Sequence, residues 1–194
     1  MRHGWLEFFA GAGMARLGLG ETKWRCLWAN DIDPHKAEVY ASWFGDAADH
    51  LTVADVGEFE ASALPAGAAL AWASFPCQDL SLAGWGRGMS ARRSGTFWAF
   101  WRLMHDLHAE GRRPPLIVLE NVVGLLRRED FVGMAEALAA LDMKLGALVI
   151  DARHFVPQSR PRVFVVASDE RIDVTPWSLP KADPRSPWHT DALA

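Results

Sequence analysis

Short apolar runs alternate along the chain with longer stretches in which apolar residues recur at helical spacing. Short apolar runs bounded by Gly, Pro, Asn or Asp favour strands, and apolar residues three or four positions apart favour helices. Strands that alternate with helices are typical of a doubly wound α/β fold with a mostly parallel sheet. The predicted strands are 5–10, 24–29, 51–56, 68–73, 116–119, 144–152 and 163–167, and the predicted helices are 14–20, 35–44, 96–109 and 131–141.

The last two predicted strands, 144–152 and 163–167, follow one another without an intervening helix. Consecutive strands joined by a short link pair in antiparallel fashion, so we expect a hairpin at the edge of the sheet. Residues 1–168 are then expected to form one domain. Residues 169–194 are rich in Pro and polar residues, and this tail is expected to be extended and to begin a missing C-terminal region.

Composition narrows the function classes. The 194 residues suffice for one domain with a core, and no apolar run is long enough to cross a membrane. A net charge of −4 provides no overall basic field for nucleic acid. Two cysteines are too few for a disulfide framework or a cysteine-rich zinc site, and no metal is expected. Without a signal peptide pattern, we expect a cytoplasmic protein of a prokaryotic or phage-like host.

A glycine turn follows the first predicted strand, in the segment Phe9-Ala10-Gly11-Ala12-Gly13. Glycines at such a turn allow the backbone to approach a ligand closely. The dinucleotide-binding pattern G-x-G-x-x-G is not met, because Arg16 occupies the place of the third glycine. The turn alone is therefore weak evidence for a cofactor site.

Acidic residues follow the second and third predicted strands. Asp31 comes 20 residues after Gly11, where a carboxylate usually holds the hydroxyls of a ribose. The alternative is that Asp31 caps the next helix, but Asp33 before Pro34 suits that task better. Asp55 is equally well explained as an acceptor for an adenine amino group and as a turn or cap residue.

A proline and a cysteine follow the fourth predicted strand, as Pro76-Cys77, and Glu120 directly follows the fifth. The carboxyl ends of parallel strands meet at one edge of the sheet, where ligands bind. A thiol and a carboxyl group placed there suggest a nucleophile and a proton donor or acceptor. Taken alone, Cys77 is more simply explained as a small buried hydrophobe, and Glu120 as a helix cap.

Arginines mark two further segments. The long loop 83–95 contains Arg87, Arg92 and Arg93 and is either a functional lid or a solvated linker. Arg160 and Arg162 lie two residues apart before the last predicted strand, so their side chains share a face if the chain is extended.

These segments together resemble the DNA cytosine-5 methyltransferases, and the resemblance covers residues from about 5 to 167. Three of the motifs form a highly specific combination. Pro-Cys-Gln comes first, Glu-Asn-Val follows after a strand, and Gln-x-Arg-x-Arg comes last. The matching pieces are Phe9-Ala10-Gly11-Ala12-Gly13, Asn30-Asp31-Ile32-Asp33, Asp55, Phe75-Pro76-Cys77-Gln78, Glu120-Asn121-Val122 and Gln158-Ser159-Arg160-Pro161-Arg162.

The resemblance implies the Rossmann-like sheet of S-adenosylmethionine-dependent methyltransferases and a DNA methylation activity of the restriction–modification type. The glycine turn from Gly11 to Gly13, with Pro76 nearby, would approach the cofactor. Asp31 would hold its ribose, Phe9 and Ile32 would sandwich its adenine, and Asp55 would bind the adenine amino group. Cys77 would attack C6 of a cytosine flipped out of double-stranded DNA. The remaining catalytic roles fall to Glu120, which would bind the base, and to Arg162 and Arg160, which would hold it and its surroundings.

The chain also departs from the family pattern. Family members continue into a target-recognition region and a closing helix, and this sequence has only the Pro-rich tail. The alternatives are therefore a catalytically silent fragment and one subunit of a split enzyme whose complementary subunit recognises DNA. An NAD-dependent oxidoreductase is a third alternative, which leaves Cys77, Glu120 and Arg162 without a task. The DNA target sequence and the oligomeric state are not encoded in any of these motifs.

Overall fold

The computed structural model describes residues 1–76, 95–127 and 129–174. Within these ranges the chain forms one seven-stranded sheet. The strands are β1 (His3–Phe8), β2 (Trp24–Asp31), β3 (Leu51–Val53), β4 (Ala68–Ala73), β5 (Leu116–Val122), β6 (Met143–Asp151) and β7 (Pro161–Asp169). The helices are α1 (Met14–Leu19), α2 (Pro34–Trp43), α3 (Thr96–Ala109) and α4 (Glu129–Ala139).

The strands are ordered β3-β2-β1-β4-β5-β7-β6 across the sheet. Neighbours from β3 to β5 are parallel, whereas β7 runs antiparallel to both β5 and β6. This arrangement confirms the predicted doubly wound sheet with an antiparallel hairpin at one edge. The order reverses between β1 and β4, which is where ligands bind in open α/β sheets.

Two apolar clusters lie on opposite faces of the sheet, because side chains alternate between the faces along each strand. Leu6 and Phe8 of β1 belong to the larger cluster, with the buried faces of α3 and α4. Trp5 belongs to the smaller cluster, together with Tyr40 of α2. Residues 96–109 form the predicted helix, and Phe97, Phe100 and Met104 are fully buried.

Several strand ends differ from the sequence prediction, and three of the differences have a clear structural cause. β1 ends at Phe8, because Phe9 adopts a left-handed φ of 57° that an extended strand excludes. β3 ends at Val53, because Asp55 caps a short 3-10 turn over Val56–Glu58. β5 continues to Val122, because β7 pairs with it over its whole length.

No helix in the three described ranges is both long and apolar enough to cross a lipid bilayer.

Candidate active site

The turns that follow β1 and β2 are joined at the carboxyl edge of the sheet. The backbone N–H of Ala10 donates to the Asn30 carbonyl at 2.8 Å, and the N–H of Gly11 donates to Oδ2 of Asp31 at 2.7 Å. Phe9 directly precedes Ala10, and its N–H donates to Oδ1 of Asn30 at 3.4 Å. Residues about 20 positions apart in the sequence therefore form one rigid wall of the candidate site.

Asp31 is the buried acidic group of this wall, with 5% of its surface exposed. Its Oδ2 accepts from Gly11, and its Oδ1 accepts from the Asp33 N–H at 2.9 Å. A carboxylate oxygen can accept two hydrogen bonds, so this side chain still has acceptor capacity for a ligand hydroxyl. Helix capping belongs to Asp33, whose side chain accepts from the backbone N–H groups of His35 and Lys36.

The two glycines of the turn have different surroundings. An added Cβ on Gly13 would lie 2.4 Å from Cε2 of Phe44 and 2.9 Å from Cδ2 of Tyr40, so packing of α1 against α2 requires a glycine there. An added Cβ on Gly11 would meet no described atom within 4 Å. Both have a left-handed φ, of 81° for Gly13 and 56° for Gly11. Only Gly11 thus faces open space suited to a ligand.

Apolar and polar groups flank that space. Ile32 directly follows Asp31, and 64% of its surface is exposed. The half-buried Phe9 ring packs edge-on against the Phe75 ring, with the centroids 6.5 Å apart. Asp55 is exposed, and its Oδ1 accepts from the Gly57 N–H at 2.8 Å. The capping interpretation of Asp55 is therefore confirmed, and its role towards adenine stays a prediction.

Arg16, in place of the third glycine of the dinucleotide pattern, is buried beneath the turn. Its guanidinium pairs with Glu21 at 2.6 Å and Asp46 at 2.7 Å, and its Cζ lies 4.1 Å from the centroid of the Phe44 ring. It also donates to the Tyr40 hydroxyl at 3.3 Å. A glycine here would remove the side chain that ties α1 to α2, which is why this chain departs from the dinucleotide pattern.

Glu7 lies beside this cluster and is 1% exposed. Burial raises the pKa of its carboxyl group to about 8, although the Arg16 backbone N–H, the Tyr40 hydroxyl and the Arg16 charge oppose the shift. The Tyr40 hydroxyl donates to Oε2 of Glu7 at 3.4 Å, and Oε1 has no hydrogen-bond partner in the described chain. Glu7 is therefore a neutral carboxyl group at moderate pH, held under the wall that carries Gly11.

The segment after β4 leads towards the predicted nucleophile. The Ser74 N–H donates to the Phe8 carbonyl at 3.3 Å, and Phe75 is buried. The Asn121 side-chain amide donates to the Phe75 carbonyl at 2.9 Å. Pro76 is exposed and is the last described residue before the gap. Cys77 and all of the arginine-rich loop except Gly95 lie outside the described residues, so the nucleophile stays a prediction.

Glu120 and Arg162 meet next to this segment. The Arg162 Nε lies 3.0 Å from Oε1 of Glu120, and the two side chains are 21% and 22% exposed. Glu120 is one residue beyond Leu119, which pairs with Ala73 at the end of β4. The prediction that the strand ends at Leu119 is wrong, because pairing of Glu120 with Phe164 extends β5 on its other side.

Arg160 is separated from this pair. It is exposed and precedes β7, and its backbone N–H donates to Oδ1 of Asp151 at 2.7 Å. Among the described ion pairs, Glu120 meets Arg162 alone. Because Arg160 lies just before the first residue of β7, the expectation that its side chain shares a face with that of Arg162 stays a prediction.

Sequence reasoning missed three polar residues that position the site. Asn30 joins the turns after β1 and β3, because its Nδ2 donates to the Ala54 carbonyl at 3.0 Å. Asn121 appears in the sequence analysis only as part of the Glu-Asn-Val piece, and its amide holds the Phe75 carbonyl. Asp151 binds the loop that carries Arg160. Their position next to strand ends was the available signal, but their partners lie on other segments of the chain.

A comparison with known families agrees with this arrangement. The profile of the C-5 cytosine-specific DNA methylases matches residues 4–191. The chain belongs to this family. The candidate active site of this methylase family member is the carboxyl edge of the sheet, where Asp31, Glu120 and Arg162 lie.

Individual relatives are similar over most of this chain. Type II methyltransferase M.BsuFI of Bacillus subtilis is 27% identical over 183 residues, which cover 92% of this chain and 42% of that protein. Type II methyltransferase M.DsaV of Dactylococcopsis salina is 30% identical over 171 residues, covering 86% and 46%. The chain thus spans about half the length of these relatives.

A solved structure gives the same fold. The S. pombe Dnmt2 methyltransferase superposes with a TM-score of 0.69 at 22% identity, covering 95% of this chain and 57% of that one. The predicted Rossmann-like methyltransferase fold is confirmed by this likeness and by the strand order of the sheet.

Proposed function

We propose that this chain is a catalytic region that transfers a methyl group from S-adenosylmethionine to C5 of a cytosine in double-stranded DNA, through a covalent bond between Cys77 and C6. The observation that carries the proposal is the contact between Arg162 and Glu120 at 3.0 Å. Asn121, the next residue after Glu120, holds the Phe75 carbonyl, and Phe75 lies two residues before Cys77 in the sequence. A carboxylate and a guanidinium thereby share the edge of the sheet at which β4 ends, two residues before Phe75.

The chemistry of cytosine explains these residue types. C6 is a poor electrophile, so attack needs a soft nucleophile and relief of the charge that develops on the ring. As the Cys77 sulfur bonds to C6, Glu120 hydrogen-bonds N3 and the exocyclic amino group, and electron density moves to C5. The bound cofactor supplies an electrophilic methyl group. Loss of the C5 proton to a base then breaks the sulfur–C6 bond and restores the aromatic ring.

The residues of the glycine turn fit this cofactor. Asp31 has acceptor capacity left for ribose hydroxyls, and Gly11 leaves the backbone open to close approach. The exposed Ile32 and the half-buried Phe9 offer apolar surface to an adenine ring. Oδ1 of Asp55 accepts from the Gly57 N–H, so its Oδ2 would accept from the adenine amino group.

Access to a base inside a duplex requires that the cytosine flip out of the stack. In this proposal Arg162 holds Glu120 and the flipped base, and the exposed Arg160 contacts the surrounding DNA. A complementary segment or subunit would supply sequence recognition. The net charge of −4, which provides no overall basic field for DNA, supports that assignment.

The covalent step has a direct test. The protein is incubated with S-adenosylmethionine and a duplex that contains 5-fluorocytosine at many sites, and adducts that survive denaturation are counted. Fluorine cannot leave as a proton does, so the expected result is a trapped adduct that Cys77→Ser abolishes. An adduct that persists in Cys77→Ser would falsify the assignment of the nucleophile. No adduct with the wild-type chain would contradict activity of the chain alone and favour the alternative of a silent fragment or a split enzyme.

A further inference from the structure

Asp151 is the last residue of β6, and its register partner is Pro161, the first residue of β7. The nine residues between them carry Arg160 and lead directly into Arg162. Two-residue hairpin turns fix strand register by their own geometry, whereas a nine-residue connection does not. The conformation of this connection must therefore be set by contacts within it.

The Asp151 carboxylate accepts from both ends of the connection. Its Oδ1 accepts from the Arg153 N–H at 3.1 Å and from the Arg160 N–H at 2.7 Å, and its Oδ2 accepts from the Ser159 hydroxyl at 3.0 Å. Arg153 Nε lies 3.4 Å from Oδ2 as well. The hydrogen bonds from the Arg153 and Arg160 backbone lower the pKa of Asp151. A simple cap of the turn at Ala152–His154 would use only the Arg153 N–H, so the bonds to Ser159 and Arg160 serve another purpose.

The consequence concerns Arg162. Glu120 pairs with Phe164 across the strands, and Arg162 lies two residues before Phe164 on the same face of β7. Arg162 lies at the start of β7, ahead of the buried residues that fix the register, so its approach to Glu120 depends on how the connection enters the strand. Asp151 closes the loop immediately before this point. Further along β7, the buried Val163, Val165 and Ala167 hold the strand without help from Asp151.

We propose that Asp151 is a positioning residue, which clasps the two ends of the connection from Ala152 to Arg160 and so presents Arg160 and Arg162 to DNA and to Glu120. This role rests on the proposed methyltransferase function, because it gives the two arginines their task. The clasp acts on the backbone, so Asp151 itself contacts neither the base nor the cofactor.

Asp169 offers a matched control at the far end of β7. It too is the last residue of its strand, and its Oδ1 accepts from the Arg171 N–H two residues further on, at 3.0 Å. Its Oδ2 also pairs with Arg113 at 3.2 Å. Asp169→Asn therefore removes an equivalent strand-end carboxylate without touching the loop that carries Arg160.

The first measurement is the rate of adduct formation with 5-fluorocytosine duplex at saturating DNA and cofactor. We expect Asp151→Ala to slow this rate about tenfold to a hundredfold, in the range that a small misplacement of catalytic groups costs. Asp151→Asn keeps one carbonyl oxygen as an acceptor and should recover part of the loss. Asp169→Asn should leave the rate within about twofold, even if it lowers the melting temperature more. Equal rates for wild type and Asp151→Ala, or an equal loss in Asp169→Asn, would overturn the proposal.

A second measurement does not depend on activity. Hydrogen exchange should accelerate in Asp151→Ala at the backbone amides of Arg153 and Arg160, while the amides of Val163 to Ala167 stay protected. Unchanged exchange at Arg153 and Arg160 would overturn the clasp. If the wild-type chain forms no adduct, the proposed function is contradicted but the role of Asp151 is not. Hydrogen exchange then decides the role of Asp151.

Discussion

Arg162 approaches Glu120 diagonally across two antiparallel strands, with 3.0 Å between Nε of the guanidinium and Oε1 of the carboxylate. The directly opposite partners are Val122 for Arg162 and Phe164 for Glu120. The hydrogen bond holds one carboxylate oxygen from the β7 side, which orients the side chain at the site edge. We infer that the second oxygen serves the cytosine.

Glu120→Gln is expected to slow adduct formation with 5-fluorocytosine duplex by about a hundredfold or more. Proton transfer by a positioned side chain contributes on that scale, and an amide cannot support the developing positive charge at N3. The free energy of unfolding should change by only about 1–2 kcal/mol, because the glutamine amide oxygen can still accept a hydrogen bond from Arg162. Single-turnover trapping and urea denaturation measure the two quantities.

Arg162→Gln and Arg171→Gln form a matched pair for the guanidinium. Arg171 also bonds a carboxylate, with its Nε 2.8 Å from Oδ1 of Asp169, but it lies at the other end of β7 and is 88% exposed. Only the Arg162 variant should lose trapping activity. Equal trapping by both variants would show that the ion pair at Glu120 has no part in the reaction.

Gly11→Ala and Gly13→Ala separate ligand approach from packing. Both positions have a left-handed φ, so each alanine costs roughly 1–2 kcal/mol of backbone strain. At Gly13 the methyl group also collides with Phe44 and Tyr40, which adds about 1–3 kcal/mol. We expect Gly13→Ala to be clearly less stable in urea than Gly11→Ala.

For cofactor affinity we expect the opposite ranking of the two variants, with Gly11→Ala weakened more than Gly13→Ala. The Gly11 methyl group would occupy the open space at the turn, so calorimetry with S-adenosylmethionine should give at least about a tenfold weaker affinity for Gly11→Ala, by lost close approach of the backbone. The folded fraction of Gly13→Ala should bind more tightly than Gly11→Ala. Wild-type affinity in Gly11→Ala would place the cofactor elsewhere.

Local patterns were sufficient for most of the fold. The runs 68–73 and 96–109 were predicted with the bounds observed, because each is closed by Gly or Pro and has one clear period. The extension of β5 beyond Leu119 depends on β7, which follows some 40 residues later in the chain. No local pattern near Glu120 carries that information.

The candidate site was predictable in its residue types and less so in its contacts. Asp31 was recognised from its place after a strand, but its bonds to Gly11 and Asp33 depend on the fold of both turns. Asn121 reaches a carbonyl 46 residues away, and the exposed Arg160 lies outside the strand that carries Arg162. Side-chain bonds between distant segments require the three-dimensional arrangement first.

The buried Glu7 makes stability depend on pH. Its pKa is about 8 in the folded protein and 4.5 ordinarily, so the folded state binds the extra proton between these values. The free energy of unfolding contributed by this group is therefore fully present below about pH 4.5 and is lost as the pH rises towards 8. Glu7→Gln removes this loss, so urea denaturation at several pH values should show the variant gaining on wild type as the pH increases.

Two other titratable groups must be considered when the stabilities of Glu7→Gln and wild type are compared. His50, whose pKa is lowered by burial and by the Arg16 charge, gives a contribution that rises with pH, but it is present in both proteins. Glu21→Gln removes a different carboxylate in contact with Arg16, from an exposed position, and controls for loss of that contact. If Glu7→Gln and wild type lose stability in parallel between pH 5 and about 8, the buried proton on Glu7 is refuted.

We expect Asn121 to influence how readily the Cys77 thiol reacts. The Asn121 amide donates to the Phe75 carbonyl from a position that is 4% exposed. Asn121→Ala leaves that carbonyl without its partner, which costs about 1–3 kcal/mol in the free energy of unfolding. Because Phe75 lies two residues before Cys77, we also expect iodoacetamide to label Cys77 at a different rate in the variant.

Cys26 makes this labelling experiment interpretable. It is 7% exposed, and burial with the nearby Glu7 charge raises the pKa of its thiol to about 12, so the native protein should not be labelled there at pH 8. Mass spectrometry of native wild type should therefore find one label, which Cys77→Ser removes and which denaturation increases to two. Labelling of Cys26 in native Asn121→Ala would mean that the substitution opens the core. A changed rate at Cys77 with Cys26 still protected identifies Asn121 as the residue that positions the nucleophile.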